Sequence, residues 1–378
     1  MQQIAPILVV FGTRLEVIKF VPVVRALKLD QRLRVFCVST GQQADLLPEF
    51  VDEFDLTVDK SLDLMVAEQS LNQLLAKLIE SLDQVIEQYS PATVIVQGDT
   101  TTALAAALSA RYRAVSVMHV EAGLRTGNFH CPFPEESNRK LITHLSALHF
   151  APTQGNVDTL LSEGVQPSDI VLTGNPIVDA LQPLVDTARP SVEFGKFLDG
   201  LKDMKIIALT AHRRENIGDR LNGYLETIKQ FIARKPNNVL VVPVHPNPEV
   251  QRHVRSILGN TQRIKLIAPL NYIDFFCLLQ RAWLVLSDSG GIQEEIITIG
   301  KPLLILREQT ERPEAIESGC ARLARTPEEL EAELQTAAQP GSWCEQISPG
   351  INPFGDGNSG PRIAQAISAF VFSAKNNP

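Results

Sequence analysis

Polar residues recur where short apolar runs end. Gly12-Thr13-Arg14 follows the run from Ile7 to Phe11, with Lys19 a turn further on. A glycine turn opening a helix, with two cations beside it, would hold a diphosphate. Gln97-Gly98-Asp99 follows Val94-Ile95-Val96, Glu121 closes the next run, and Glu135 stands four residues before Arg139. Taken alone, Asp99 reads as a helix N-cap, and Glu135 with Arg139 as a surface i,i+4 ion pair. Three carboxylates at or near strand ends in one half of a chain outweigh those separate readings. In the second half, His212 and His245 end consecutive runs. There Ser289-Gly290-Gly291 also opens a helix carrying Glu294 and Glu295. That turn offers backbone N–H groups and a positive dipole end to a phosphate, while a carboxylate one turn in can bind the two hydroxyls of a ribose.

The elements that must position these residues are legible as two alternating series. Strands are expected at Ile7 to Phe11, Leu33 to Ser39, Thr93 to Gln97 and Ala114 to Val120. Between them fall helices at Leu15 to Leu27, Ser70 to Tyr89 and Thr101 to Arg111. A second series places strands at Ile206 to Thr210, Val239 to Val244, Arg263 to Ile267, Trp283 to Ser287 and Leu303 to Leu306. Alternation of this kind marks βαβ units and parallel sheets covered by helices on both faces. In such open sheets a ligand sits outside the carboxyl ends of the strands, where the polar residues above fall. The stretch after Gly174-Asn175-Pro176, with Pro183 and Pro190, reads as a linker. Expected domains are therefore 1–175 and 176–357, with an amphipathic helix, Pro361 to Ala374, near the end.

Composition narrows the function. A chain of 378 residues exceeds the roughly 250–300 at which single cores stop growing, so two domains are expected. Hydrophobic residues are 44% and charged residues 21%, the balance of an ordinary globular protein. A formal charge of −8 without Lys/Arg clusters argues against nucleic acid as a partner. No apolar stretch is long enough to span a bilayer and no basic n-region precedes the first strand, so no membrane partner and a cytoplasmic location are expected. The 5 cysteines show no C-x-x-C pair and the 7 histidines no close ligand spacing, which predicts reduced thiols and no bound metal.

The segments GTRLEVIKF, QGDTTTALA, HVEAGLRTGN, PFPEESNRK, TGNPIVDAL, LTAHRREN, PVHPNP, SDSGGIQEE and ERPEAIESG occur in this order from residue 12 to residue 319. In them the chain resembles the non-hydrolysing UDP-N-acetylglucosamine 2-epimerase family. The resemblance implies the GT-B fold: two Rossmann-like domains with parallel sheets facing an interdomain cleft, the final helix crossing back onto the first domain. It implies a homodimer and no cofactor. Position by position, Asp99, Glu121, Glu135 and His212 match the acid–base residues. Arg14, Lys19, Arg139 and His212 match residues near the diphosphate and sugar. Ser289, Gly290 and Gly291 match the phosphate turn, Glu295 the ribose carboxylate and Phe275 the residue beside uracil. His245 is placed among the UDP-binding residues, and Arg312 and Glu314 lie in a matching loop. Leu15 stands where the family usually has proline, Gln43 where it has histidine, and the acidic Glu68 where a basic residue is common. The last two positions lie near a regulatory UDP-GlcNAc site in bacterial relatives, which implies that this regulation is lost or changed here.

The chemistry so implied is inversion at C2 of the sugar. That hydrogen is not next to a carbonyl, so something must first acidify it. Departure of UDP develops an oxocarbenium-like cation at C1 beside C2, and a carboxylate within about 3 Å could then take the proton. Redelivery from the opposite face to the resulting glycal requires a second acid–base group. Donor carboxylates would need raised pKa values. Rival readings are the same chemistry on a modified UDP-sugar such as a diacetamido uronic acid, a hydrolysing epimerase, a GT-B glycosyltransferase, and a non-catalytic UDP-sugar sensor.

Overall fold

A computed structural model describes residues 4–41, 53–54, 56–65, 69–130, 132–211, 213, 216–347 and 352–373. His212, Gln43 and Glu68 lie outside the described residues. The chain divides into two compact units, one running to Ala180 and resuming at Phe354, the other spanning Leu181–Pro353.

In the first unit, β1 (Ala5–Phe11), β2 (Leu33–Ser39), β3 (Lys60–Ser61), β4 (Thr93–Gln97), β5 (Ser116–Val120), β6 (Leu148–Ala151) and β7 (Ile170–Leu172) form one sheet. Its order is β3-β2-β1-β4-β5-β6-β7, parallel throughout. Buried on both faces, β1 and β4 read as continuous apolar runs rather than alternating ones. Helices α1 (Arg14–Lys28), α2 (Leu71–Tyr89), α3 (Thr101–Tyr112), α4 (Glu135–Leu145) and α5 (Gln154–Ser162) connect the strands. On α2, Leu74, Leu78 and Leu82 recur every four residues and face the alanines of α3, whose small side chains let the two helices pack into one core cluster.

The second unit repeats the pattern with β8 (Lys205–Thr210), β9 (Asn238–Pro243), β10 (Ile264–Ile267), β11 (Leu284–Ser287), β12 (Leu303–Ile305) and β13 (Ala321–Leu323). Their order is β10-β9-β8-β11-β12-β13, again parallel. Its helices include α7 (Val192–Asp199), α8 (Asp219–Arg234), α9 (Pro248–Leu258), α10 (Tyr272–Arg281), α11 (Gly290–Ile299), α12 (Pro313–Glu317) and α13 (Pro327–Ala337). One apolar cluster lies on each face of the sheet. In both units the strand next to β1 or β8 on one side continues the early sequence and on the other side starts the later one. This reversal creates a switch point where ligands bind in open sheets.

The stretch read as a linker is helical: α6 (Pro176–Thr187) and α7 occupy it, and Pro183 lies inside α6. An interior proline forfeits one backbone bond, yet Ile177, Val178 and Leu181 are buried along α6, and that packing keeps the helix. The final helix, α14 (Ser359–Ser373), packs on α1 within the first unit. A Cβ at Gly360 would meet the Pro22 carbonyl oxygen at 2.6 Å, so only glycine allows that approach. No helix among the described residues is long and apolar enough to cross a membrane.

Candidate active site

In the first unit the carboxyl ends of β1, β4 and β5 gather most of the expected residues. β5 ends at Val120, and Glu121 turns the chain in a left-handed backbone, φ 64°. A non-glycine residue there costs roughly 1–3 kcal/mol and persists only where the surroundings hold it. They do: Lys19 Nζ forms a short ion pair with Glu121 Oε2, and Gln97 Nε2 donates to the same oxygen at 2.5 Å. Glu121 and Lys19 are 6% and 3% exposed, so Lys19 directs its charge at this carboxylate.

Asp99 is not the cap of α3. Thr100 is, its hydroxyl accepting from the Ala103 N–H at 3.0 Å. Asp99 is gripped instead by Arg139, whose Nε donates at 2.8 Å and whose Nη2 lies 2.6 Å from Oδ2. Asn138 Nδ2 donates to the Asp99 carbonyl at 2.8 Å. Arg139 also pairs with Glu136 at 3.3 Å and is itself buried, so it is a bridge to the end of β4 rather than a surface charge. Glu135 is half-buried at the first turn of α4, and Arg14 is half-buried at the first turn of α1.

Glu16 was not singled out from the sequence, although Thr13-x-x-Glu16 carries the capping-box signature. Its Oε2 accepts from the Gly12 N–H at 2.9 Å and from the Thr13 N–H and hydroxyl at 2.8 Å each. Its Oε1 accepts from Thr100 at 2.8 Å, tying the turn after β1 to the turn after β4. Burial pushes its pKa up to about 7, against the pull of these four donors.

Behind Asp99 and Glu121 lie two buried histidines in register, His119 and His149. His119 Nε2 is 2.8 Å from the Gly98 carbonyl, which only accepts, so Nε2 carries the proton of a neutral ring. Burial holds His119 down to about 3 and His149 to about 4. Stability from these neutral rings is fully present above the ordinary histidine value of about 6.5 and is lost as pH falls toward 4 and 3. Glu16 acts oppositely: its contribution is complete below its ordinary value of 4.5 and lost as pH rises through about 7. Between pH 6.5 and 4.5 the two histidines together outweigh Glu16, so these three groups should lower the stability of the first unit as pH falls through that range. Hydrogen exchange of the β4 amides against pH measures this, and His149→Asn should flatten the slope by about one proton. An unchanged slope would refute the assignment.

In the second unit, Thr210 Oγ1 and Ser287 Oγ meet at 2.8 Å across the ends of β8 and β11. The fully buried Asp288 accepts from the Arg213 N–H and from Asn216 Nδ2, each at 3.0 Å, and so holds these two residues. Ser289 N-caps α11 without a side-chain capping bond, and Gly290 and Gly291 begin the helix. A Cβ at Gly290 would lie 2.8 Å from Arg312 Nη1, 3.2 Å from Glu311 Oε1 and 3.3 Å from Arg213 Nη2, so the ends of three charged side chains crowd the turn and any larger residue would have to displace them. Helix N-terminal N–H groups with two adjacent cations make an anion site. Arg312 is braced by Glu294 and Glu311, each at 2.5 Å, and Glu311 by Arg307 at 2.8 Å, all four residues buried. Only Arg312 of this network was expected as a site residue. The other members look from sequence like ordinary surface charges, because no periodicity signals that a charge is buried.

Glu295 is buried one turn into α11, and Phe275 on α10 packs against the apolar cluster of its unit. Exposed His245 follows β9, with Nδ1 accepting from the Asn247 N–H at 3.1 Å, and Glu314 lies on α12.

Two parallel-sheet α/β units of this topology, with the C-terminal helix returned to the first, define a protein of the GT-B class. The chain belongs to the UDP-N-acetylglucosamine 2-epimerase family, whose model matches residues 25–368. It is 39% identical over 375 residues to the UDP-N-acetylglucosamine 2-epimerase of Salmonella typhimurium, covering 97% of this chain and 99% of that one. A UDP co-structure of S. aureus MnaA superposes with a TM-score of 0.93 at 37% identity, covering 99% of both chains. The Neisseria meningitidis UDP-GlcNAc 2-epimerase bound to UDP-GlcNAc gives 0.89 at 35% identity, over 96% of this chain and 99% of that one.

Proposed function

We propose that this protein interconverts UDP-GlcNAc and UDP-ManNAc without hydrolysis, by anti-elimination of UDP and re-addition to a 2-acetamidoglucal. The observation that carries the reading is the pair of carboxylates at adjacent strand ends: Glu121 held by Lys19 and Gln97, Asp99 held by Arg139. Two acid–base groups with different partners suit removal of the C2 proton on one face and its return on the other. Glu135, on the first turn of α4, and His212 complete the acid–base set carried over by resemblance. The Ser289-Gly290-Gly291 turn with Arg312 receives the diphosphate and stabilises charge growing on it as the C1–O bond breaks. By the same resemblance Arg14, Lys19, Arg139 and His212 are assigned to the diphosphate and sugar, Glu295 to the ribose, Phe275 to the uracil and His245 to UDP. A UDP-GlcNAc-bound relative and a UDP-bound relative support the choice of ligand. Elimination and re-addition involve no net redox change, so the reading needs no redox cofactor. A homodimer is part of the reading and is checked by light scattering.

Incubation with UDP-GlcNAc in D₂O, followed by proton NMR, tests it. UDP-ManNAc should accumulate with deuterium at C2 and without stoichiometric free UDP. Release of ManNAc and UDP would establish a hydrolysing enzyme, and absence of both product and exchange would remove the epimerase reading.

A further inference from the structure

Glu136 has a carboxylate with no exposure at all, adjacent to an acid–base candidate but assigned no role by the proposed reaction. Burying a carboxylate is costly unless donors surround it. Its Oε2 accepts from the Thr126 N–H at 3.0 Å and from Arg139 Nη1 at 3.3 Å, and its Oε1 accepts from the Gly127 N–H at 3.1 Å. Arg139 uses its remaining edge on Asp99, through Nε at 2.8 Å and Nη2 at 2.6 Å. A guanidinium is a rigid plane, so a partner on one edge fixes the direction of the other. The neighbouring Asn138 holds the Asp99 carbonyl oxygen.

From this geometry we infer that Glu136 is a positioning residue: it orients Arg139, and through it the Asp99 carboxylate, and locks the Thr126–Gly127 turn to the same frame. The inference rests on the epimerase reading for its kinetic consequence. A carboxylate on a first helical turn also favours the helix dipole, and that role alone would affect stability but not the chemical step. Both oxygens of Glu136 face donors, so either orientation of an amide sets an NH₂ group against an N–H. Glu136→Gln therefore removes at least one bond while nearly conserving volume.

The expected result for Glu136→Gln is a fall in kcat of about 30- to 100-fold, the scale of a misplacement near 1 Å, with KM within about 3-fold. Glu136→Asp, which keeps the charge, should recover part of the loss. In an Asp99→Asn background, Glu136→Gln should cost less than about 3-fold more, because its effect passes through Asp99. Wild-type kcat in Glu136→Gln, or losses that multiply with those of Asp99→Asn, would overturn the inference. If Glu136→Gln does not fold, Glu136→Asp carries the same test: reduced kcat at constant KM supports it, and wild-type kcat refutes it. Amide exchange over residues 98–100 and 126–127 separates this from the reaction itself. Faster exchange in the variant sustains the positioning role even if no UDP-sugar is turned over, and unchanged exchange removes it.

Discussion

Glu121→Gln should lower kcat for C2 epimerisation by about 10²- to 10⁴-fold while leaving KM within a few-fold. The substitution is close to isosteric. The oxygen that meets both Lys19 Nζ and Gln97 Nε2 can be replaced by the amide oxygen, so the side chain keeps its place at the end of β5. What it loses is the ability to take a proton. The left-handed backbone is also retained, since glutamine and glutamate meet the same steric limits at φ 64°. Stability should drop as well, by about 3–5 kcal/mol at the extreme, because Lys19 is nearly as buried as the carboxylate it pairs with. The two effects separate experimentally: kcat is measured on folded protein well below the variant's melting temperature, and UDP affinity reports whether the second unit is intact. A variant with kcat within about 3-fold of the wild type would remove Glu121 from the acid–base set. The other carboxylates would then have to supply both proton transfers.

Residues at the ends of long apolar runs were legible because two signals coincide there. The run marks a strand, and in a parallel sheet the polar residue just after it faces the ligand side. Asp99, Glu121 and the Gly290 turn were found that way. The short strands β6, β7 and β13 are not legible in the sequence, since three or four residues carry little periodicity. The helix at Pro176–Thr187 was hidden by Pro183, where burial outweighs local propensity. The residues that hold the candidate groups were harder still. Glu136, Arg307 and Glu311 are charges, and charge in a sequence suggests the surface; nothing local distinguishes one whose partners lie across a turn or on another strand end, whereas Glu16 carries the capping-box spacing that marks it. Asp99 shows the limit from the other side. Its residue type fits a cap, and only the position of Arg139, forty residues on, reveals that it is held as part of a pair.

Glu311→Ala should destabilise the second unit by about 3–5 kcal/mol, the scale of breaking a buried ion pair by removing one member. Glu311 Oε2 meets Arg307 at 2.8 Å and Oε1 meets Arg312 at 2.5 Å, so one truncation takes a carboxylate from two cations. Arg307 is 1% exposed and cannot turn to water without dragging the end of β12 with it. Both tryptophans, Trp283 and Trp343, belong to this unit, so the fluorescence transition in urea reports it separately from the first. Arg312 keeps Glu294 but loses the brace that aims Nη1 at Gly290, and UDP affinity should therefore fall by about 10-fold. A double variant, Arg307→Met with Glu311→Leu, discriminates packing from charge. Replacing both members of a buried pair by apolar groups of similar volume is often neutral. The double variant should recover much of the stability, whereas UDP affinity should remain low because Arg312 still lacks its second carboxylate. Recovery of both together would mean that the network supports the fold alone and does not orient the phosphate turn, and a fluorescence transition shifted by under about 1 kcal/mol in Glu311→Ala would mean that it supports neither.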